Sequence, residues 1–404
     1  MDSMRRRRLF LSLVMTCCLA FAGMGCGSGS AGSGSQFDAA STPATQGSTT
    51  LVDNYHHADL GNGWEPTGQL ELAYAQCFTL DYFEGGYQLA CLMDGNRYLI
   101  VPDGAEVPEG LADDITILRQ PVDTIYLAAS DSMCLFDALD ALDAIAVSGI
   151  ERDDWSIASA REAMDSGQIV YGGKYRSPDY ELLLSQGVQL AVESTMINHT
   201  PEVREKLIEL GIPVLTELSS YEPEPLGRAE WIKLYGALLD RSDRAEELFQ
   251  EQVGQVGSLL QTPSGKTVAF FYLNSSGAAV VRRPGDYVTK MIEQAGGTYA
   301  FADLGKAQAG SSSVTIQMER FYATAKDADV LIYNSSIDGG VESLGDLLAR
   351  NELFRDFKAV QEGEVWVTEQ NMYQQMLQSG GIIADLNQVL CNTTEPLTFF
   401  RRLS

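Results

Sequence analysis

The chain has 404 residues, 45% of them hydrophobic and 21% charged, which is enough for two sizeable α/β lobes. Its 55 acidic side chains outnumber 28 basic ones, a net charge of −27 that argues against nucleic acid as a partner and against a basic face lying on a membrane. Three histidines, only one of them (His199) beyond residue 57, and seven cysteines with no Cys-x-x-Cys spacing provide no zinc knuckle, no dithiol motif and no imidazole cluster for a bare transition metal.

Arg5 to Arg8 form a basic run, Leu9 to Ala22 is an apolar stretch of 14 residues, and Gly23-Met24-Gly25-Cys26 follows. A basic segment, a short apolar core and small residues before a cut make a secretory signal, whereas a spanning helix needs roughly 20 apolar residues. The cysteine resembles the lipobox of bacterial lipoproteins, although Gly23 and Met24 replace that family's usual aliphatic and small residues. The resemblance implies a signal peptide at 1–25, a lipid on Cys26, and a place on the outer face of the cell membrane. Residues 26–65 read as a flexible tether. Gly27 to Thr50 is rich in Gly, Ser, Thr, Ala and Gln, and ~24 such residues reach roughly 25–30 Å.

The first lobe is expected over 66–241. Leu70, Leu72 and Tyr74 alternate, as do Phe78, Leu80 and Tyr82, and Leu89–Leu92 and Tyr98–Val101 follow. This predicts a small antiparallel sheet with a turn at Glu84-Gly85-Gly86. Cys77 and Cys91 flank that turn, either as buried thiols or as a bridge. After Pro121 strands and helices alternate. Strands are expected at Val122–Ala128, Ile145–Ser148, Ile169–Tyr171, Leu190–Val192 and Val214–Leu215, and a helix over Ser132–Leu142. Such alternation favours a parallel wound sheet.

Leu226 to Leu239 reads as one helix. Asp243 with Glu246 reads as a capping box for a linker helix over 242–264. The second lobe, 265–404, begins with a strand at Val268–Leu273 and a helix at Tyr287–Ala295. Strands at Val330–Tyr333 and Val365–Thr368 follow, then a helix at Ile382–Leu390. The fold class is α/β: two lobes joined by a single long helix, with a ligand cleft between them.

Each lobe repeats one local design, a glutamate at a helix start upstream of a buried strand. Glu181 precedes Leu190-Ala191-Val192, and Glu319 precedes Val330-Leu331-Ile332. The helix macrodipole is the plain explanation of such a carboxylate. With the long linker helix, the run Tyr221-Glu222-Pro223-Glu224-Pro225-Leu226-Gly227-Arg228-Ala229-Glu230-Trp231 and Ala295-Gly296-Gly297, the body from about 66 to 404 resembles the substrate-binding proteins of ABC importers for ferric siderophores, haem and cobalamin. The resemblance implies a monomer that performs no catalysis and holds no cofactor. It would carry a small-molecule metal chelate to a permease and its ATPase, with Glu181 and Glu319 docking on permease arginines and no nucleic acid involved.

Loops at strand ends are the usual ligand locus of open α/β sheets. The candidates are Ser130 and Ser132, Lys174 and Tyr175, Asn274, Arg282 and Arg283, Asn334, and Tyr373. The two arginines would pair with carboxylate or catecholate groups, or else form a solvated surface pair. The tyrosines would stack on a planar ligand or fill core. Met196 and His199 lie three apart and share a face, so they read as loop residues and not as a haem clamp. Ser264-Gly265-Lys266-Thr267 lacks the leading glycine of a phosphate loop and precedes a strand. A secreted hydrolase on the same scaffold, or a ligand-sensing accessory receptor, are the other readings. The absence of a Gly-x-Ser-x-Gly elbow weighs against the hydrolase.

Overall fold

The computed structural model describes residues 51–404 except 258, 260–262, 306–311, 338–339 and 393–394. The signal peptide, Cys26, the Gly27–Thr50 tract and the far end of the linker helix lie outside the described residues.

The alternating region forms a five-stranded sheet, β1 (Gly68–Gln69), β2 (Phe78–Tyr82), β3 (Gln88–Leu92), β4 (Arg97–Val101) and β5 (Ile115–Arg119), in that order. All neighbours pair antiparallel except β4 and β5, which are parallel. The period of two decides the faces. Phe78, Leu80, Ala90, Leu92, Tyr98 and Ile100 enter the main core, while Leu89, Cys91, Leu99 and Val101 build a second small core with Leu60 and Phe83. Strands β3 and β4 thus have two faces to bury, and residues 51–65 supply part of the second cover.

This shortens the expected tether, which the sequence alone extends to 65. Leu60 is fully buried, Val52 N–H donates to the Met93 carbonyl at 2.8 Å, Arg97 holds the Asp59 carbonyl, and His56 Nε2 lies 2.9 Å from the buried Asp81. Cys77 and Cys91 are buried free thiols, because the register sets Cys91 against Thr79.

The second sheet is wholly parallel: β6 (Ile125–Leu127), β7 (Ile145–Ser148), β8 (Val170–Tyr171), β9 (Leu190–Ser194) and β10 (Val214–Glu217), in the order β10-β9-β6-β7-β8. Both faces are covered, which explains its near-continuous apolar strands. The helix expected over Ser132–Leu142 is only Met133–Ala138, ended as Asp140 takes a left-handed φ of 53°.

Glu193 on β9 breaks the apolar run. It is fully buried, and neither carboxyl oxygen has a hydrogen-bond partner among the described residues. Burial pushes its carboxyl well above the ordinary range. A raised folded pKa means stability that is complete below the unfolded pKa of about 4.3 and is lost as pH climbs through the folded value. Glu193→Leu is therefore expected to raise unfolding free energy at pH 7 by about 1–3 kcal/mol and to flatten its decline above pH ~4.3. Urea melts at pH 5 and pH 7 check this, and a lower midpoint in the variant would refute it.

The third sheet holds β11 (Thr267–Leu273), β12 (Ala279–Arg282), β13 (Thr298–Tyr299), β14 (Ser313–Ile316), β15 (Val330–Tyr333), β16 (Val365–Thr368) and β17 (Phe400–Arg402). The order is β14-β12-β11-β15-β16-β17, with β13 beside β11. Its centre, β11, β15 and β16, is parallel, while β12, β14 and β17 run antiparallel to their neighbours. A hairpin at Asn274 therefore interrupts the expected strand–helix alternation.

Helices Pro225–Glu230, Ile232–Leu238 and Ser242–Gly257 link the second and third sheets. The single helix expected over 226–239 is thus two, broken at Trp231. The capping box also differs. Helix Ser242–Gly257 starts before Asp243, and the Glu246 carboxylate meets Lys233 at 2.9 Å and accepts from Gln250 at 2.8 Å. Gly236 allows close helix approach, since a Cβ there would lie 2.6 Å from Ala245 Cβ.

Buried glutamates tie the first sheet to this hinge. Glu222 accepts from Gln76 N, Cys77 N and the Trp231 indole at 2.8–2.9 Å. Glu230 accepts from Ala73 N, Tyr74 N and Ala75 N at 2.8–3.0 Å and pairs with Lys233 at 3.1 Å. Gly227 fits under this loop because a side chain would press on the Tyr74 carbonyl, 3.0 Å from the Cβ position.

Candidate functional site

The C-terminal ends of β6 and β10 in the first lobe and of β12, β15 and β16 in the second bring polar groups together beside the linking helix Pro225–Glu230. Arg228, on that helix, is buried. Its Nη2 lies 3.3 Å from Asp131 Oδ2, and its guanidinium sits 4.1 Å above the Tyr287 ring. Arg282 approaches the same ring at 5.9 Å and the Tyr373 ring at 6.0 Å. The Tyr373 hydroxyl meets Arg282 Nη2 at 3.1 Å and Asn334 Nδ2 at 2.8 Å. Met291, Met372, Met376 and Ile382 complete a small cavity beside Arg228, Tyr287 and Tyr373. Thioethers supply adaptable, polarizable lining.

Charge is balanced within this layer. Asp131 faces Arg228, and Asp286 lies 3.7 Å from Arg282. Burial raises the Asp286 carboxyl, and Arg282 works in the opposite direction. Glu217, behind Asp131, is fully buried; burial and then the Asp131 charge push its carboxyl well above the ordinary range. Ser219 donates to Glu217 through its backbone N–H at 2.9 Å and its hydroxyl at 2.8 Å. Burial also pushes the Tyr373 phenol up to about 12, so it stays a neutral hydroxyl. Cations, rings and neutral donors in this arrangement can hold a ligand; among the described residues no three His, Cys, Asp or Glu side chains converge on a metal-sized site.

Of the residues proposed from sequence, Arg282, Asn334 and Tyr373 form one bonded cluster. The contacts of the others go elsewhere. Ser130 is half-buried in the loop next to Asp131. Ser132 is fully buried and accepts from Tyr235 at 2.9 Å. Lys174 is exposed, 3.7 Å from Glu151, and Tyr175 packs against the outer apolar face of the second sheet. Asn274 shapes its hairpin turn, accepting from Ser276 and Ala278. Arg283 donates to the Gly305 carbonyl at 3.4 Å.

Sequence reasoning missed Arg228, Asp131, Glu217, Asp286 and Tyr287. Arg228 stood inside a quoted run, and Asp131 between the named Ser130 and Ser132, but a buried pairing 97 residues apart leaves no local signal. Glu181 and Glu319 are both exposed in the first turns of helices Tyr180–Gln186 and Met318–Ala325. The cap of the first helix is Asp179, which accepts from Leu182 N at 3.0 Å, and not Glu181.

Two α/β lobes around a polar cleft, with helices between them, define a ligand-binding scaffold. The chain belongs to the periplasmic binding protein family, which matches residues 129–372. The first sheet lies outside that span. An uncharacterized lipoprotein of Methanocaldococcus jannaschii is 26% identical over 310 residues, covering 73% of this chain and 72% of its own. A second one from the same organism is 26% identical over 313 residues, covering 74% and 77%. A periplasmic binding protein from Veillonella parvula shares the fold at a TM-score of 0.55 and 15% identity, over 72% of this chain and 98% of its own. A structure described as an ABC-type Fe3+-hydroxamate transport system, from Saccharomonospora viridis, aligns at 0.51 and 20% identity, over 68% and 94%. The periplasmic haem-binding protein of Vibrio cholerae aligns at 0.53 and 17%, over 66% and 98%.

Proposed function

We propose that this chain is the extracytoplasmic substrate-binding protein of an ABC importer. It captures an iron complex, as a siderophore or haem, or a corrinoid, and delivers it to a permease driven by its ATPase. It works as a lipid-anchored monomer and performs no chemistry. The observation that carries this is the layer Arg228–Tyr287–Arg282–Tyr373 at the base of the cleft, with Asn334 and the methionines around it. Stacked guanidinium and phenol groups suit a ring-bearing or planar complex. Because Asp131 and Asp286 already face the two arginines, complexes of low net charge suit the layer better than highly anionic ones.

Titration of the purified chain with ferrioxamine, a ferric tricatecholate, haemin and cyanocobalamin, read by tryptophan quenching, tests the reading. Submicromolar binding of one complex is expected, with no tight Zn²⁺ or Mn²⁺ site. Tight binding of a bare ion, or of none of the complexes, would refute it.

Two further outcomes follow from the same reading. Alanine at both Glu181 and Glu319 is expected to cut import steeply and leave the ligand Kd within about twofold, because an exposed pair acts through its partner and not through the cleft. Normal import, or a tenfold weaker Kd, would remove these glutamates from docking. Cys26→Ala is expected to release the chain from the detergent phase or leave it unprocessed, and an unchanged membrane fraction would place the anchor in residues 9–22.

A further inference from the structure

Beside the arginine–tyrosine layer a buried side-chain amide joins the lobes. Gln374 ends the 3-10 turn Gln370–Gln374, which follows β16 in the second lobe. Its Oε1 accepts from both the backbone N–H and the hydroxyl of Ser156, each at 2.7 Å. Its Nε2 donates to the Asp154 carbonyl at 2.8 Å. Those groups lie 218 and 220 residues away, on the first-lobe loop that follows β7. The side chain is 3% exposed. Two donors converge on its oxygen and one acceptor meets its nitrogen, so the seat matches both edges of an amide.

The seat is stiff. Trp155, between Asp154 and Ser156, is 1% exposed in the main core. Its indole donates to Ser148 Oγ at 3.3 Å, and that hydroxyl donates to the Ile150 carbonyl at 2.7 Å. The Asp154 N–H is held by the Glu151 carbonyl at 3.0 Å. The other half of the contact leads directly into the arginine–tyrosine layer, since the residue before Gln374 is Tyr373, bonded to Arg282 and Asn334. Tyr373 and Gln374 are thus joined by a single peptide unit in the same 3-10 turn.

We propose that Gln374 is the latch of the cleft. It holds the lobes together without cargo, and it is withdrawn when a ligand engages Tyr373. Glutamine is the residue the seat requires, because glutamate would keep the acceptor for Ser156, lose the donor to Asp154 and set a charge against that carbonyl. The latch rests on the transport reading above, but its first readout is a property of the ligand-free chain.

Hydrogen exchange of the full ligand-free chain, followed at the Ser156 amide, tests it. Ser156 is expected to exchange at least about tenfold faster in Gln374→Ala than in the native chain, with Gln374→Glu between them. The amides of β11 are expected to exchange alike in all three, which certifies folding. Equal Ser156 rates in all three chains overturn the latch. The complex that quenches tryptophan is then titrated into both chains: because binding no longer has to break the latch, it is expected to bind Gln374→Ala at least about tenfold more tightly, and an unchanged Kd also overturns the latch. If none of ferrioxamine, the ferric tricatecholate, haemin or cyanocobalamin binds, the transport reading fails while Ser156 exchange still decides the latch.

Discussion

Glu230→Ala is expected to lower unfolding free energy by about 3–5 kcal/mol, with exchange at residues 73–77 accelerating first. The side chain is fully buried and accepts from three consecutive backbone N–H groups, of Ala73, Tyr74 and Ala75. Removing it unpairs all three at once, the half-buried Tyr74 and Ala75 and the exposed Ala73, and breaks a buried ion pair, a loss that by itself costs about 3–5 kcal/mol. It also leaves Lys233, only 8% exposed, with Glu246 as its remaining carboxylate partner among the described residues. The loop carrying these N–H groups leads into β2, so the whole first sheet is expected to loosen from the hinge. Glu222→Ala should act in the same direction through Gln76, Cys77 and Trp231. Urea melts read the loss, and a change below about 1 kcal/mol for Glu230→Ala would show that water replaces the carboxylate without cost.

Arg228→Ala is expected to cost about 3–5 kcal/mol at pH 7, because it strips a buried guanidinium from Asp131 and Glu217 and removes the cation stacked on Tyr287. The sign of the pH dependence follows from Glu217, whose folded pKa is already raised by burial and by Asp131. Its stability contribution is complete below an unfolded pKa of about 4.3 and is lost as pH rises through the folded value. Without the arginine that loss grows, so the deficit of Arg228→Ala should be smaller at pH 5 than at pH 7. A deficit equal at both pH values would show that packing on Tyr287, and not charge, makes Arg228 necessary. The double variant Arg228→Met with Asp131→Leu should recover most of the stability, since an apolar pair often replaces a buried ion pair without loss. It should still lose ligand, if the layer is the binding surface.

Periodicity in the sequence determined a good deal. Alternation at Phe78–Tyr82 and Leu89–Leu92 marked the first sheet. Apolar runs at Ile145–Ser148, Leu190–Val192, Val330–Tyr333 and Val365–Thr368 marked buried strands whose observed bounds agree within two residues. These signals are legible because burial on a face imposes a local period. The quoted run from Tyr221 to Trp231 marked a special segment, and Arg282, Asn334 and Tyr373 were found because they stand at strand ends.

Tertiary structure alone decided the rest. It turned Glu222 and Glu230 into acceptors for a loop about 150 residues away, laid residues 51–65 on a sheet that the tether reading had left bare, and set the antiparallel β12 beside a parallel centre. It spent Ser132 on Tyr235, Asn274 on its own turn and Arg283 on a carbonyl, and it assembled the cleft from Asp131, Arg228, Asp286 and Tyr287. The physical reason is common to all of these. A hydrogen bond or ion pair between distant residues leaves no period in the chain, and whether a polar side chain serves the fold or a ligand depends on which partner packing brings within about 3 Å.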